Sequence, residues 1–298
     1  MKNTALLLAV ISIGFILACQ KTITVKPLLY NDKVSIQCFI EPDSVPILYF
    51  NKTVPYFGKD IKKNQLIVRN AQIKIIGGNS ADLLTLDSLF DKIDCQYNYF
   101  YKGQQKIQAN QSYQLNILSG GKTYTANATT NLSAPLIDSV SYVANYSDIY
   151  GEHEGVIVYF EDVSNQTNFY RYEMKRSADT TTKKAEAPIV STCLGNDSIR
   201  VSEMGRAVFN DIGNEDKQIK IVIEPAYSHK KGTTGDIYIQ SFDKSAYDFF
   251  AQLDRQKLAQ FNPFVEPVFL QPGQFGNTAV GFFAAKKNSS KVKFVYPE

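Results

Sequence analysis

Short runs of alternating apolar and polar residues, each closed by turn formers, constrain this chain more than any other feature. Side chains on a strand point to opposite faces in turn, so strict alternation means one buried face and one wet face. The clearest case is "SYQLNILSGGKTYTANATT". Tyr113, Leu115 and Ile117 share one face of the first arm, and Tyr124 and Ala126 alternate along the second. Ser119-Gly120-Gly121-Lys122 between them reads as a hairpin turn.

The same signature recurs along the chain. "KVSIQCFIE" alternates, and "VPILYFNKTVPYF" is rich in β formers with prolines that suit an edge or a bulge. "QLIVRNAQIKIIGG" follows, and after Pro135 come "GVIVYFEDV", "NFYRYEMKRS", "SIRVSEM", "KQIKIVIEP" and "GDIYIQSFD". One segment has helical spacing instead: Tyr247, Phe250, Leu253, Leu258 and Phe261 in "SAYDFFAQLDRQKLAQF", residues 245–261, with Ser245 and Asp248 near a capping-box spacing. Two closing strands lie near "AVGFFAAKK" and "KVKFVYP". The pattern predicts an all-β protein with two sandwich-like, Ig-like domains, 33–134 and 135–298, and one short helix late in the second.

Ahead of these strands lies a leader. Met1-Lys2-Asn3 is followed by an apolar stretch from Ala5 to Ala18, shorter than the roughly 20 residues a spanning helix needs. One positive charge, a short apolar core and a small residue before the break describe a secretory signal over 1–18; the alternative is a buried core helix. Ile16-Leu17-Ala18-Cys19 resembles a bacterial lipobox, although Leu17 is larger than the usual residue there. The resemblance implies cleavage before Cys19 and lipidation of its thiol. Residues 19–32 then form a lipidated tether, held firmly only if two or more acyl chains are attached. Gln20, where an Asp would retain a lipoprotein at the inner membrane, favours the outer membrane. Which face of that membrane is left open.

The formal net charge of +3 is too small for a nucleic-acid binder. Of four cysteines, Cys38, Cys95 and Cys193 remain after Cys19, an odd number that leaves at least one thiol unpaired. No CxxC pair points to zinc. Cys38, in an apolar run, reads as a small buried hydrophobe; a Cys38–Cys95 bridge is the alternative.

In order, the lipobox, "KVSIQCFIEPDSVPILYFNKTVPYF", "ATTNLSAPLIDSV", "VYFEDVSNQTNFYRYEM" and "FNPFVEPVFLQPGQFGNTAVGFFAA" resemble the Bacteroidota lipoproteins grouped as domain of unknown function 4249. The resemblance covers nearly all of the mature chain. It implies an outer-membrane lipoprotein with a TonB-dependent transporter as partner, and no reaction. "QPGQFGN" departs from the richer glycine pattern of that family, leaving Gly273, Gly276 and Gly281 to fill the role.

Catalytic signals are sparse. His153 and His229 are the only histidines; His153, between Glu152 and Glu154, reads as an exposed turn before a strand. There is no HExxH, no GxSxG and no GxxxxGK[ST], so no catalytic residue, metal site or cofactor is expected. Glu161 and Asp162, and separately Asp211, Glu215 and Asp216, offer oxygens of the kind calcium takes. Solvated turns are the preferred reading of both. Asp-Ser and Asp-Thr triplets mark Ser44, Ser88, Thr180 and Ser198 as candidate O-glycosylation sites. The expected function is a non-enzymatic binding or accessory module of the envelope. The alternatives are direct capture of a peptide or glycan, with Tyr rings as platforms, and a hydrolase whose site has no recognisable motif.

Overall fold

The computed structural model describes residues 33–55, 61–78, 80–92, 95–148, 151–164, 166–178, 183–184, 187–188, 193, 199–204, 208–212, 217–225, 229–260, 266 and 268–297. The predicted signal 1–18, the tether 19–32 and Cys19 lie outside them. The strands and helices belong to one compact unit, Lys33–Thr53 with Asp60–Glu298.

The fold is mostly β, as the alternation predicts. The first part carries β1 (Val34–Ile40), β2 (Ile47–Lys52), a single turn α1 (Lys63–Leu66), β3 (Ala71–Gly77), β4 (Ser80–Asp91), β5 (Gln96–Lys102), β6 (Ser112–Ser119) and β7 (Lys122–Thr129). Next come β8 (Leu136–Asp148), β9 (Gly151–Glu161), β10 (Phe169–Ala178), β11 (Lys183–Lys184), β12 (Ala187–Pro188), β13 (Ile199–Met204), β14 (Phe209–Asn210) and β15 (Gln218–Ile223). The chain closes with β16 (Thr234–Phe242), α2 (Lys244–Gln260), β17 (Ala279–Asn288) and β18 (Val292–Val295).

The β6–β7 hairpin forms as predicted. Tyr113, Leu115, Ile117, Tyr124 and Ala126 are buried, and Gly120 and Gly121 take φ of 56° and 75°, the left-handed pair that a two-residue hairpin turn requires. Long β4 changes partners along its length: Ser80–Leu84 pair with β3, and Thr85–Asp91 with β5. That bend lets β1, β2 and β5 face β3, β6 and β7 across a core of Ile36, Cys38, Leu48, Phe50, Ile73, Leu115 and Ile117. A second core, with Val156, Val158, Phe160, Tyr170, Met174, Ile237 and Ile239, lies between β8–β9–β15 and β10–β16–β18.

The boundary predicted at 134/135 falls between β7 and β8, and the chain crosses back over it. β17 runs parallel to β1, from Val34↔Ala279 to Ile40↔Ala285. This pairing joins both parts into one sheet path, β13-β10-β16-β17-β1-β2-β5-β4-β3-β6-β7. Gly281 makes it possible. Its φ is +121°, and a Cβ there would run into the Ile36 backbone carbonyl.

Two local expectations change. β2 is internal, between β1 and β5, and not an edge; buried Pro46 precedes its first residue, so no ladder N–H is lost. The predicted helix appears as Lys244–Gln260, but Ser245 lies inside its first turn and its buried hydroxyl oxygen makes no capping hydrogen bond. Asp243 precedes the first turn, and its carbonyl accepts from the N–H groups of Ala246 and Tyr247. Asp248 pairs instead with Lys244 at 2.6 Å, one helical turn away. α2 lays Ala246, Phe249 and Phe250 over Phe242, Phe282 and Ala284, on the sheet face opposite the first core.

Candidate functional site

Alternation on β1 and β2 sends Ile36, Cys38, Ile40, Leu48 and Phe50 into the first core. It leaves Gln37, Phe39, Ile47 and Tyr49 on the other face, the one α2 partly covers. Beside α2 that face opens into a trough of about 490 Å³. Its apolar walls include Phe39, Val45, Ile47, Phe250 and Phe282; its polar groups include Gln37, Glu41, Arg171, Glu173, Gln240 and Lys286. A volume of several hundred Å³ with apolar walls and a few convergent polar groups has the character of a ligand site.

The charges in the trough are not equally matched. Lys286 Nζ pairs with Glu41 Oε2 at 3.2 Å, and Glu41 Oε1 accepts from Asn288 Nδ2 at 2.8 Å. Glu173 Oε2 lies 3.3 Å from Lys175 Nζ and accepts from Gln240 Nε2 at 3.1 Å. Arg171 stands directly across the ladder from Gln240. Its Nε and one terminal nitrogen donate to the neutral Gln240 Oε1, at 3.2 and 3.1 Å. The guanidinium carbon lies 4.4 Å from the Phe250 ring centre. Among the described residues no carboxylate comes within ion-pair distance of it. Yet Arg171 is only 8 % exposed. Burial pulls its pKa below the usual guanidinium value, and the more distant charges of Glu173 and Asp254 only partly oppose that. A buried charge is normally paired, because leaving water costs several kcal/mol. Arg171 has donors to spare, at the wall of an open trough.

The histidines are placed differently from the expectation. His153 is half-buried within β9 and not in a turn, with its ring near Tyr146. His229, which the sequence linked to nothing, lies 2.5 Å from Glu154 Oε2, an oxygen that also accepts from Tyr142 at 2.8 Å. The ring stacks on Tyr296 at 3.8 Å. The acidic segments converge in part. Asn168 Nδ2 donates to Asp162 Oδ1 at 3.2 Å and to Asp211 Oδ2 at 2.9 Å. Asp211 is wholly buried, so the solvated-turn reading fails for it; Glu215 and Asp216 lie outside the described residues. Among the described residues no group of three or more His, Cys, Asp or Glu side chains gathers as a metal site.

The disulfide is Cys95–Cys193, with Cα atoms 5.6 Å apart, and not Cys38–Cys95. Cys38 is free and buried, as its apolar surroundings predict. Of the candidate glycosylation positions, Ser44 is exposed and Ser88 is half-buried in β4, while Thr180 and Ser198 lie outside the described residues.

Arg171 escaped the sequence reading. In "NFYRYEMKRS" it alternates with Tyr170 and Tyr172, the ordinary mark of a wet strand face. Only the later β16 and α2 turn that face into a buried wall.

Among the described residues, two β cores, two helices and a mixed-polarity trough make up a β-rich protein. The family model described as a domain of unknown function (DUF4249) matches residues 21–291, and the chain belongs to that family. No curated protein matches it.

Proposed function

We propose that this protein is a non-enzymatic binding module of the outer membrane, a lipoprotein held through Cys19. Its role is to engage another envelope component, and a TonB-dependent transporter is the partner to test first. The leader and lipobox support the location. So does the Cys95–Cys193 bridge, since disulfides persist in oxidising compartments. The anchor would raise the local concentration of the module near its partner with no added contact.

The observation that carries the binding role is the buried, unmatched Arg171 on the wall of the trough. It also favours a second reading, direct capture of a small ligand for uptake, because the trough suits a ligand better than a flat protein partner. Full-length tagged protein purified from its native envelope in mild detergent, beside Cys19→Ala, tests the first. Stoichiometric recovery of a transporter that needs Cys19 supports the accessory role. Lipidated protein recovered alone rejects it and leaves capture.

A further inference from the structure

We infer that the trough takes the free carboxyl end of a short peptide, with the carboxylate on Arg171 and an apolar last side chain among Phe39, Phe250 and Phe282. This rests on the trough being the binding face. Arg171 presents five N–H donors in a planar fork, and the protein uses two of them, both on one neutral oxygen. The remaining donors suit a carboxylate, whose two oxygens match that fork. Among the described residues no carboxylate within ion-pair distance supplies it, and the two acidic residues of the trough are already engaged. Glu41 is taken by Lys286 and Asn288, and Glu173 by Lys175 and Gln240.

The walls decide what carries the carboxylate. Phe250 already stacks against the guanidinium, and Phe39 and Phe282 lie with ring centres 4.6 Å apart beside it. An apolar group joined to the acid therefore meets rings as soon as the acid meets Arg171. Gln37 and Ser44 also line the same trough. A main chain, with an N–H and a carbonyl at each residue, can use such partners, whereas a bare hydrocarbon tail cannot.

The test is titration calorimetry on the detergent-purified full chain. The probes are tetrapeptides ending in Phe or Leu, as free acids and as C-terminal amides, with a straight-chain fatty acid as a third arm. A charge-assisted contact is worth roughly 1.5–3 kcal/mol, so the acids should bind about ten- to a hundredfold tighter than the amides. Arg171→Met should abolish that difference, and Arg171→Lys should keep only part of it. The acid–amide comparison uses the unaltered protein and does not depend on either variant folding. Acids and amides binding alike would overturn the carboxylate assignment while leaving the trough as a binding face. Binding of the fatty acid alone would overturn the peptide assignment. Silence from all three probes would remove the inference and the trough-based capture reading together.

Discussion

Removing the Cys95–Cys193 bridge should be among the costliest changes to this protein that leave its cores untouched. The bridge joins the turn between β4 and β5 to the segment between β12 and β13, at a sequence separation of 98. Closing a loop of that size restricts the unfolded chain by about 4.7 kcal/mol in the chain-entropy treatment. Whole domains are stable by only about 5–15 kcal/mol, so this is a large share. Cys95→Ser with Cys193→Ser keeps both side chains close in size and avoids an unpaired reactive thiol. Urea unfolding without reductant should show a lower midpoint and a larger m, as the freed unfolded chain exposes more surface. We expect a loss of roughly 3–5 kcal/mol. Thiol counting supplies the control. With Cys19 acylated, the native protein should show no reactive thiol, the denatured protein one (Cys38), and the denatured and reduced protein three. A loss below about 1 kcal/mol, with the bridge verified by that count, would refute the entropic reasoning. It would mean the two segments stay near each other even in the unfolded chain.

Three further outcomes are expected. Gly281→Ala forces a Cβ onto the Ile36 carbonyl at positive φ, and should cost roughly 2–5 kcal/mol by overpacking and backbone strain, read by the same urea titration. Asp243 is pushed up by burial to about 6, against the opposing hydrogen bond from the Ala285 N–H at 2.7 Å. A raised folded pKa means the native state holds the proton longer, so this contribution is complete below about pH 4 and is lost as pH rises through 6. The difference in stability between the unaltered protein and Asp243→Asn should therefore change by up to about 2–3 kcal/mol between pH 4 and pH 7 and be flat above. Intact mass of the purified protein should exceed protein plus lipid if any of Ser44, Ser88, Thr180 and Ser198 carries a glycan; a mass of protein plus lipid alone rejects glycosylation at all four.

Much of the local structure was legible in the sequence. Tyr113, Leu115 and Ile117 are buried because each alternates to the same face, and Gly120-Gly121 turns the chain because glycine tolerates positive φ. Tyr247, Phe250 and Leu253 pack on one side of α2 because their spacing follows the helical repeat. Cys38 is buried for the same reason as Ile36 and Ile40 on either side of it. In each case the pattern reports how one segment divides itself between water and an interior, which its own residues decide.

What the tertiary structure decided are the meetings between segments. The parallel pairing of β1 with β17, the approach of His229 to Glu154, the bridge from Cys95 to Cys193 and the burial of Arg171 opposite Gln240 each join residues dozens to hundreds of positions apart. No local periodicity encodes them, because they depend on which strand lies beside which and in what register. Arg171 shows the consequence. Its own strand marks it as wet, and it is dry only because β16 and α2, formed much later in the chain, close over it.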